Sequence, residues 1–522
     1  MRLLSAGLLM AAPAAALAHG FAQRYDLPVP LGLYITGAAL TVALSFGVIA
    51  FFVRGRRAAR DYPRFDLLRS PLGGLISSRW LIGLLRLLSV AGLVVVVVAG
   101  FVGAQNPYKN IAPTVIWVIW WVGFAYISGL IGNLWSLLNP WSSVFRWAES
   151  LVTRLTPARR LGLGLAWPKW LGNWPAVLLF VWFVWAELVW PESDNPAKLS
   201  LAALTYSILT WLGMLMFGRH AWLRHGEAFS LVFGFFARFS CTEIRVTDSS
   251  VIQACSAAHG HAGGRAGVDC LECFERAPAA ERQLNLRPWA VGLLTDRPIG
   301  ASATVFVLVM LASVTFDGLL ATPLWAEIAS WMLYSQELRP LILALQGITG
   351  NAIASISTIA MLIFFLLFFV LYGLFNILMF FATPAAARRG TTVGQLIGSF
   401  VLSLVPIALA YHLAHYLSFL LIVGQYVIPL ASDPFGLGWN LFGTRLYMVD
   451  IGIVGARFVW ITSVVAIVIG HIVAVWLGHV MALRTFRDNR AALLSQVPML
   501  LLMVGYTMLS LWILAQPVVE TG

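Results

Sequence analysis

The sequence predicts an all-α, polytopic membrane protein, a transmembrane helical bundle of about ten spans after a cleaved signal peptide. Three observations predict it. Of 522 residues, 60% are hydrophobic and only 11% are charged, against roughly 25% charged in an average soluble domain. Apolar runs recur at about 18 to 28 residues, matching the roughly 20 that a helix needs to cross the hydrocarbon layer. Basic residues gather in alternate connections, as the positive-inside rule requires.

The chain opens with Met1-Arg2, an apolar run and Ala16-Leu17-Ala18, the charged, hydrophobic and small-residue parts of a secretory signal. Cleavage after residue 18 leaves His19 as a periplasmic N-terminus; the alternative is an uncleaved anchor. Spans are expected at 31–53, 81–102, 113–137, 174–190 and 199–217, then at 303–320, 356–381, 396–423, 456–483 and 492–515. With the N-terminus outside, Arg54, Arg56, Arg57, Arg60, Arg159, Arg160, Arg388, Arg389, Arg484, Arg487 and Arg490 all face the cytoplasm. This places the chain in a bacterial inner membrane and explains the net charge of +12 without a nucleic-acid partner. Many of the 22 tryptophans, such as Trp174, Trp190 and Trp460, fall near span ends, where amphipathic rings form an interfacial belt.

A cytoplasmic connection at 218–298 divides a five-span bundle, 19–217, from a second one, 299–522. A periplasmic connection at 321–355 contains an amphipathic stretch around 331–345. Five plus five suggests a duplicated transporter, but no motif of one half recurs in the other.

The strongest chemical signal is polar. His412 and His415 in the eighth span, and His471 and His479 in the ninth, are ionisable groups at membrane depth, where such groups are costly and usually functional. His412 and His415 share a helix face. At a rise of 1.5 Å per residue, His412 and His471 lie roughly 25 and 20 Å from the cytoplasmic ends of their helices, so the two can meet. His479 lies only about 6 Å from that end and is set aside. Asp317, in Thr315-Phe316-Asp317-Gly318 of the sixth span, is a candidate catalytic group, a metal ligand, a partner fixing a histidine tautomer, or a proton-relay group. Glu187, in Trp185-Ala186-Glu187 of the fourth span, is a second acid at membrane depth, with an interfacial position as the alternative. Histidine ligation of a divalent metal, or of haem between opposed helices, competes here with plain interhelical hydrogen bonding.

Two further ligand sets are candidates. The α-amine and imidazole of His19 form a chelate that suits copper(II), with an intramembrane histidine as the third nitrogen. Cys255, His259, His261, Cys270 and Cys273 in the cytoplasmic connection approach zinc-ligand spacing. In a reducing compartment these thiols are expected to bind metal rather than pair; free thiols in a flexible loop are the alternative. Cys241 stands apart. No G-x-S-x-G, H-E-x-x-H, Walker A or G-x-G-x-x-G pattern occurs, which argues against soluble-type nucleotide and serine-hydrolase chemistry.

The run His19-Gly20-Phe21-Ala22-Gln23-Arg24-Tyr25-Asp26-Leu27-Pro28-Val29-Pro30-Leu31, with Arg297-Pro298-Ile299-Gly300 and Thr315-Phe316-Asp317-Gly318, resembles a family of bacterial membrane proteins labelled fenitrothion hydrolase. The resemblance implies hydrolysis of a P–O aryl ester in a lipophilic organophosphate triester, and it carries over no catalytic residues. A metal-bound hydroxide held by His412, His415 and His471, with Asp317 orienting a ligand or taking a proton, would serve that reaction. Two other readings remain open. One is metal-ion transport from His19 to the cytoplasmic Cys/His loop, and the other is a b-type haem protein passing electrons. A second membrane subunit is compatible with each.

Overall fold

The chain is described by a computed structural model over residues 25–53, 62–156, 161–259, 267–486 and 488–516. The signal peptide, His19 and His261 lie outside the described residues, as do the side chains of Cys255 and His259. Ten of the described helices are long and apolar enough to cross a membrane, which makes the protein an all-α polytopic bundle in a lipid bilayer. We label them with one shorter buried helix as α1 (Leu31–Phe52), α2 (Arg79–Val102), α3 (Ile111–Leu130), α4 (Lys169–Leu188), α5 (Pro196–Phe217), α6 (Ala228–Phe239), α7 (Ala301–Leu320), α8 (Ala352–Ala382), α9 (Val393–Ser432), α10 (Ala456–Thr485) and α11 (Asn489–Ala515).

Their ends follow local chemistry. Asn195 and Asn351 cap the first turns of α5 and α8, and Thr392 with Gln395 closes a capping box on α9, satisfying backbone N–H groups that a helix start leaves open. α5 stops at Gly218, whose φ of 83° suits glycine. The third span is shorter than expected: α3 ends at Leu130, and the chain turns through Gly132 into a short helix, Trp135–Leu138. The eighth is longer, because α9 continues through a 3₁₀ turn at Val423–Tyr426 to Ser432. The amphipathic stretch near 331–345 is two helices, Pro323–Tyr334 and Arg339–Thr349.

The 218–298 connection is not a plain loop. It holds α6, which is apolar throughout but, at twelve residues, too short to span. The solution is burial inside the bundle, where Phe229, Val232, Phe233 and Phe236 are almost fully covered. The same connection also gives β2 (Thr242–Val246) and β3 (Arg282–Leu286) to a small antiparallel sheet, in the order β1-β3-β2, whose β1 (Phe65–Asp66) comes from the connection between α1 and α2. Arg287, just past β3, is fully buried; it bridges Glu243 and Asp269 at 3.1 Å each and donates to the carbonyls of Ala237, Arg238 and Ser240. A cation there completes the C-terminal end of α6, whose last carbonyls lack helical partners.

The core sits on two helices. α7 and α9 are each 78% buried over their apolar windows, whereas α2 is 6% buried and presents most of its surface outward. α9 and α10 approach closely at Gly470, where a Cβ would lie 2.5 Å from Ala410 Cβ and 2.9 Å from the Pro406 carbonyl oxygen. Small residues let membrane helices pack backbone to backbone. Gly470→Leu is therefore expected to cost about 1–3 kcal/mol through overpacking, read as a lower denaturation midpoint of the purified protein in detergent; an unchanged midpoint would refute this account of the contact.

Candidate functional site

The polar residues of α7 and α9 meet side chains from α3 and α4 in the half of the bundle away from the sheet. Asp317 lies about 24 Å along α7, and Glu187 about 20 Å along the α-helical part of α4 that begins at Trp174, both measured from the sheet-bearing end. His412, His415 and Tyr416 project from α9 toward them. His415 Nε2 is 2.9 Å from Asp317 Oδ2. The Tyr416 hydroxyl lies 2.5 Å from the same oxygen and 3.0 Å from Glu187 Oε1. Glu187 Oε1 also accepts from Trp121 Nε1 at 2.6 Å. Asp317, His412 and His415 are buried, and Glu187 is half-buried.

Local structure explains how these groups reach one another. Residues Thr114–Gly123 of α3 are π-helical, a wider and rarer winding often found at functional sites, and they present Trp121 to Glu187. Gly318 follows Asp317, and a Cβ there would stand 2.6 Å from the Tyr411 hydroxyl, so only glycine lets α9 come this close to the acid. Tyr126 donates to the Leu413 carbonyl at 2.5 Å and ties α3 to α9 between the two histidines.

His412 faces a small cavity that Trp121, Glu187, Val232, Phe236, Ser313 and Tyr416 also line. Its volume is about that of one water molecule. His412 Nε2 is buried there without a hydrogen-bond partner, while its ring packs on Tyr416 and Trp121 with centroids 4.7 and 5.4 Å apart. A buried polar atom left unpaired costs about 1–3 kcal/mol, so a small polar occupant of the cavity would be stabilised here.

Hydrogen-bond capacity constrains the charge. A tyrosine hydroxyl has one proton to donate, yet Tyr416 stands between two carboxyl groups. It can serve only one fully, and the second contact is completed when Glu187 or Asp317 itself carries a proton. The trio Glu187, Tyr416 and Asp317 is thus built to share one extra proton, with His415 beside it.

The expected three-histidine centre does not form. His471 Nδ1 lies 2.8 Å from the Ile467 carbonyl, and its ring packs against Tyr506. It stands apart from His412 and His415, and among the described residues no group of three or more His, Cys, Asp or Glu side chains gathers as a metal site. Depth was compatible, but the rotation of α10 turns His471 toward α11. Cys270 and Cys273, expected as metal ligands, are bonded to each other as a disulfide. They sit with Val246 and Ala277 in a small apolar cluster, and the other three members of that expected ligand set fall outside the described side chains.

Two members of the site, Tyr416 and Trp121, carry no reading in the sequence analysis, and Glu187 joins the acid cluster rather than the membrane interface. The available signal was the acid-flanked aromatic pattern, Trp185-Ala186-Glu187 and His415-Tyr416, at matching depth. No protein-family description, curated protein or solved structure matches the chain.

Proposed function

We propose that this chain is an inner-membrane protein that takes up a proton in the outer half of the bilayer and moves it through the bundle. The observation that carries the reading is the single Tyr416 hydroxyl set between two buried carboxyl groups. The basic connections put the sheet-bearing end in the cytoplasm and the acid cluster toward the periplasm. Glu187, partly buried near the outer end of α4, is the receiver. Its O–H bond breaks as one forms to the Tyr416 oxygen, while Tyr416 passes its own proton to Asp317 and returns to a neutral phenol. His415 holds Asp317 in place and stabilises its ionised form between transfers.

The water-sized cavity beside His412 favours a small occupant over an aryl ester or a porphyrin. Because His471 faces Tyr506 of α11 and not His412 and His415, no step is assigned to a metal. The organophosphate-hydrolase reading rests on the resemblance alone, and hydrolysis of such an ester by the purified protein would restore it.

The test is proton flux into proteoliposomes of the full chain, driven by a potassium diffusion potential and read with an entrapped pH dye. Wild type should acidify the lumen, and Glu187→Gln should slow it on the order of tenfold or more. Wild-type vesicles no leakier than protein-free ones would sink the proposal.

A further inference from the structure

Resting on that reading, we propose that His471 and His479, two helical turns apart on α10, are the successive proton stations of an inner half-channel between α10 and α11, leading from the acid cluster to the cytoplasmic end.

The polar groups line up in order of depth. The Tyr411 hydroxyl lies over Gly318, beside Asp317 in the chain, and is fully buried without a partner. Below it, Tyr506 of α11 bonds Thr315 of α7 and packs on His471 with centroids 5.9 Å apart. The Ile467 carbonyl can only accept, so His471 Nδ1 carries the hydrogen. In the neutral ring, Nε2 is then a bare acceptor, and it is buried with no partner. A proton leaving Asp317 adds to a phenol oxygen as that phenol gives up its own, and the last O–H bond breaks as the new bond forms on His471 Nε2.

His479 has the opposite arrangement. Gln496 Nε2 donates to the Ala492 carbonyl, which turns Gln496 Oε1 toward His479 Nδ1 at 3.2 Å. His479 Nε2 faces the Val53 carbonyl at 3.0 Å. Both neighbours of the ring only accept, so the doubly protonated imidazolium satisfies both. A proton acceptor thus stands above a place built to hold a proton.

The gap between them is about 12 Å, too long for one transfer. It contains a second cavity, lined by Val475, Gly478, Gln496, Met499 and Met503 and large enough for one or two water molecules. Gly478 adjoins open space, with no atom within 4 Å of a Cβ placed there. A water chain through it would link the two stations, while the apolar lining keeps other ions out.

Two variants test the route in the same full-chain proteoliposomes. His471→Gln removes the acceptor, and Gly478→Ala places a methyl group in the open space beside it. Both should lower flux at least tenfold while retaining the wild-type denaturation midpoint in detergent. Infrared difference spectra on acidification should still show the carboxyl protonation of Glu187 or Asp317. Wild-type flux in both variants, with flux lost in Glu187→Gln, would overturn the half-channel and leave the outer site standing. Absence of flux in the wild type would remove both.

Discussion

Replacing Asp317 by asparagine should reduce proton flux on the order of a hundredfold, the scale of a positioned proton-transfer group, while leaving the protein folded. The amide keeps the shape and can still accept from Tyr416, so the packing of α7 on α9 survives. What is lost is the carboxylate oxygen that meets both His415 Nε2 and the Tyr416 hydroxyl. Tyr416→Phe is the companion variant. It keeps the ring against His412 and removes the hydroxyl between the acids, so flux should fall while thermal stability changes little. If Asp317→Asn carries protons as fast as wild type, the acid cluster is a structural polar network and nothing more.

The largest expected loss of stability lies elsewhere, at Arg287. Arg287→Ala should destabilise the sheet-bearing end by about 3 kcal/mol, the lower end for a broken buried ion pair, because Arg64 at 2.6 Å and Tyr62 at 2.7 Å still reach Glu243. The truncation removes a partner of Asp269 and of the carbonyls of Ala237, Arg238 and Ser240. Lysine should not rescue it, since a point charge cannot replace a guanidinium fork that serves five acceptors. Burial would raise the Glu243 carboxyl, but hydrogen bonds from Tyr62 and Arg64 and the charge of Arg287 hold it below the usual range. Its contribution is therefore present above the ordinary carboxylate range and fades as pH falls through the lowered value. Denaturant titration of purified protein measures both effects, and a midpoint indifferent to Arg287→Ala would contradict the ion-pair account.

Some of the site was legible because each signal was local. An aspartate and several histidines inside hydrophobic runs stand out in any reading of the chain, and their depth follows from counting residues along a helix. Asp317 and His415 were found this way and do meet. Depth could not reveal rotation. His471 lies at a level compatible with His412 but faces α11, and His479, set aside for lying near a span end, proves to be clasped between Gln496 and Val53. Glu187 was underrated because position along α4 says nothing about which neighbour covers it. The π-helical winding that brings Trp121 to Glu187 has no signature in the run Thr114–Gly123, which reads as any apolar helix.

The sequence by itself determined the class and layout of this protein. Helix length against bilayer thickness and the cost of unpaired backbone in lipid leave little choice for ten such segments. Only the tertiary structure decided which polar groups share a site. Side-chain convergence depends on how each helix is turned about its own axis, and close packing at glycines such as Gly318 and Gly470 settles that turn. The burial of α6 was decided the same way, because a short apolar helix becomes part of the core only when neighbouring spans enclose it.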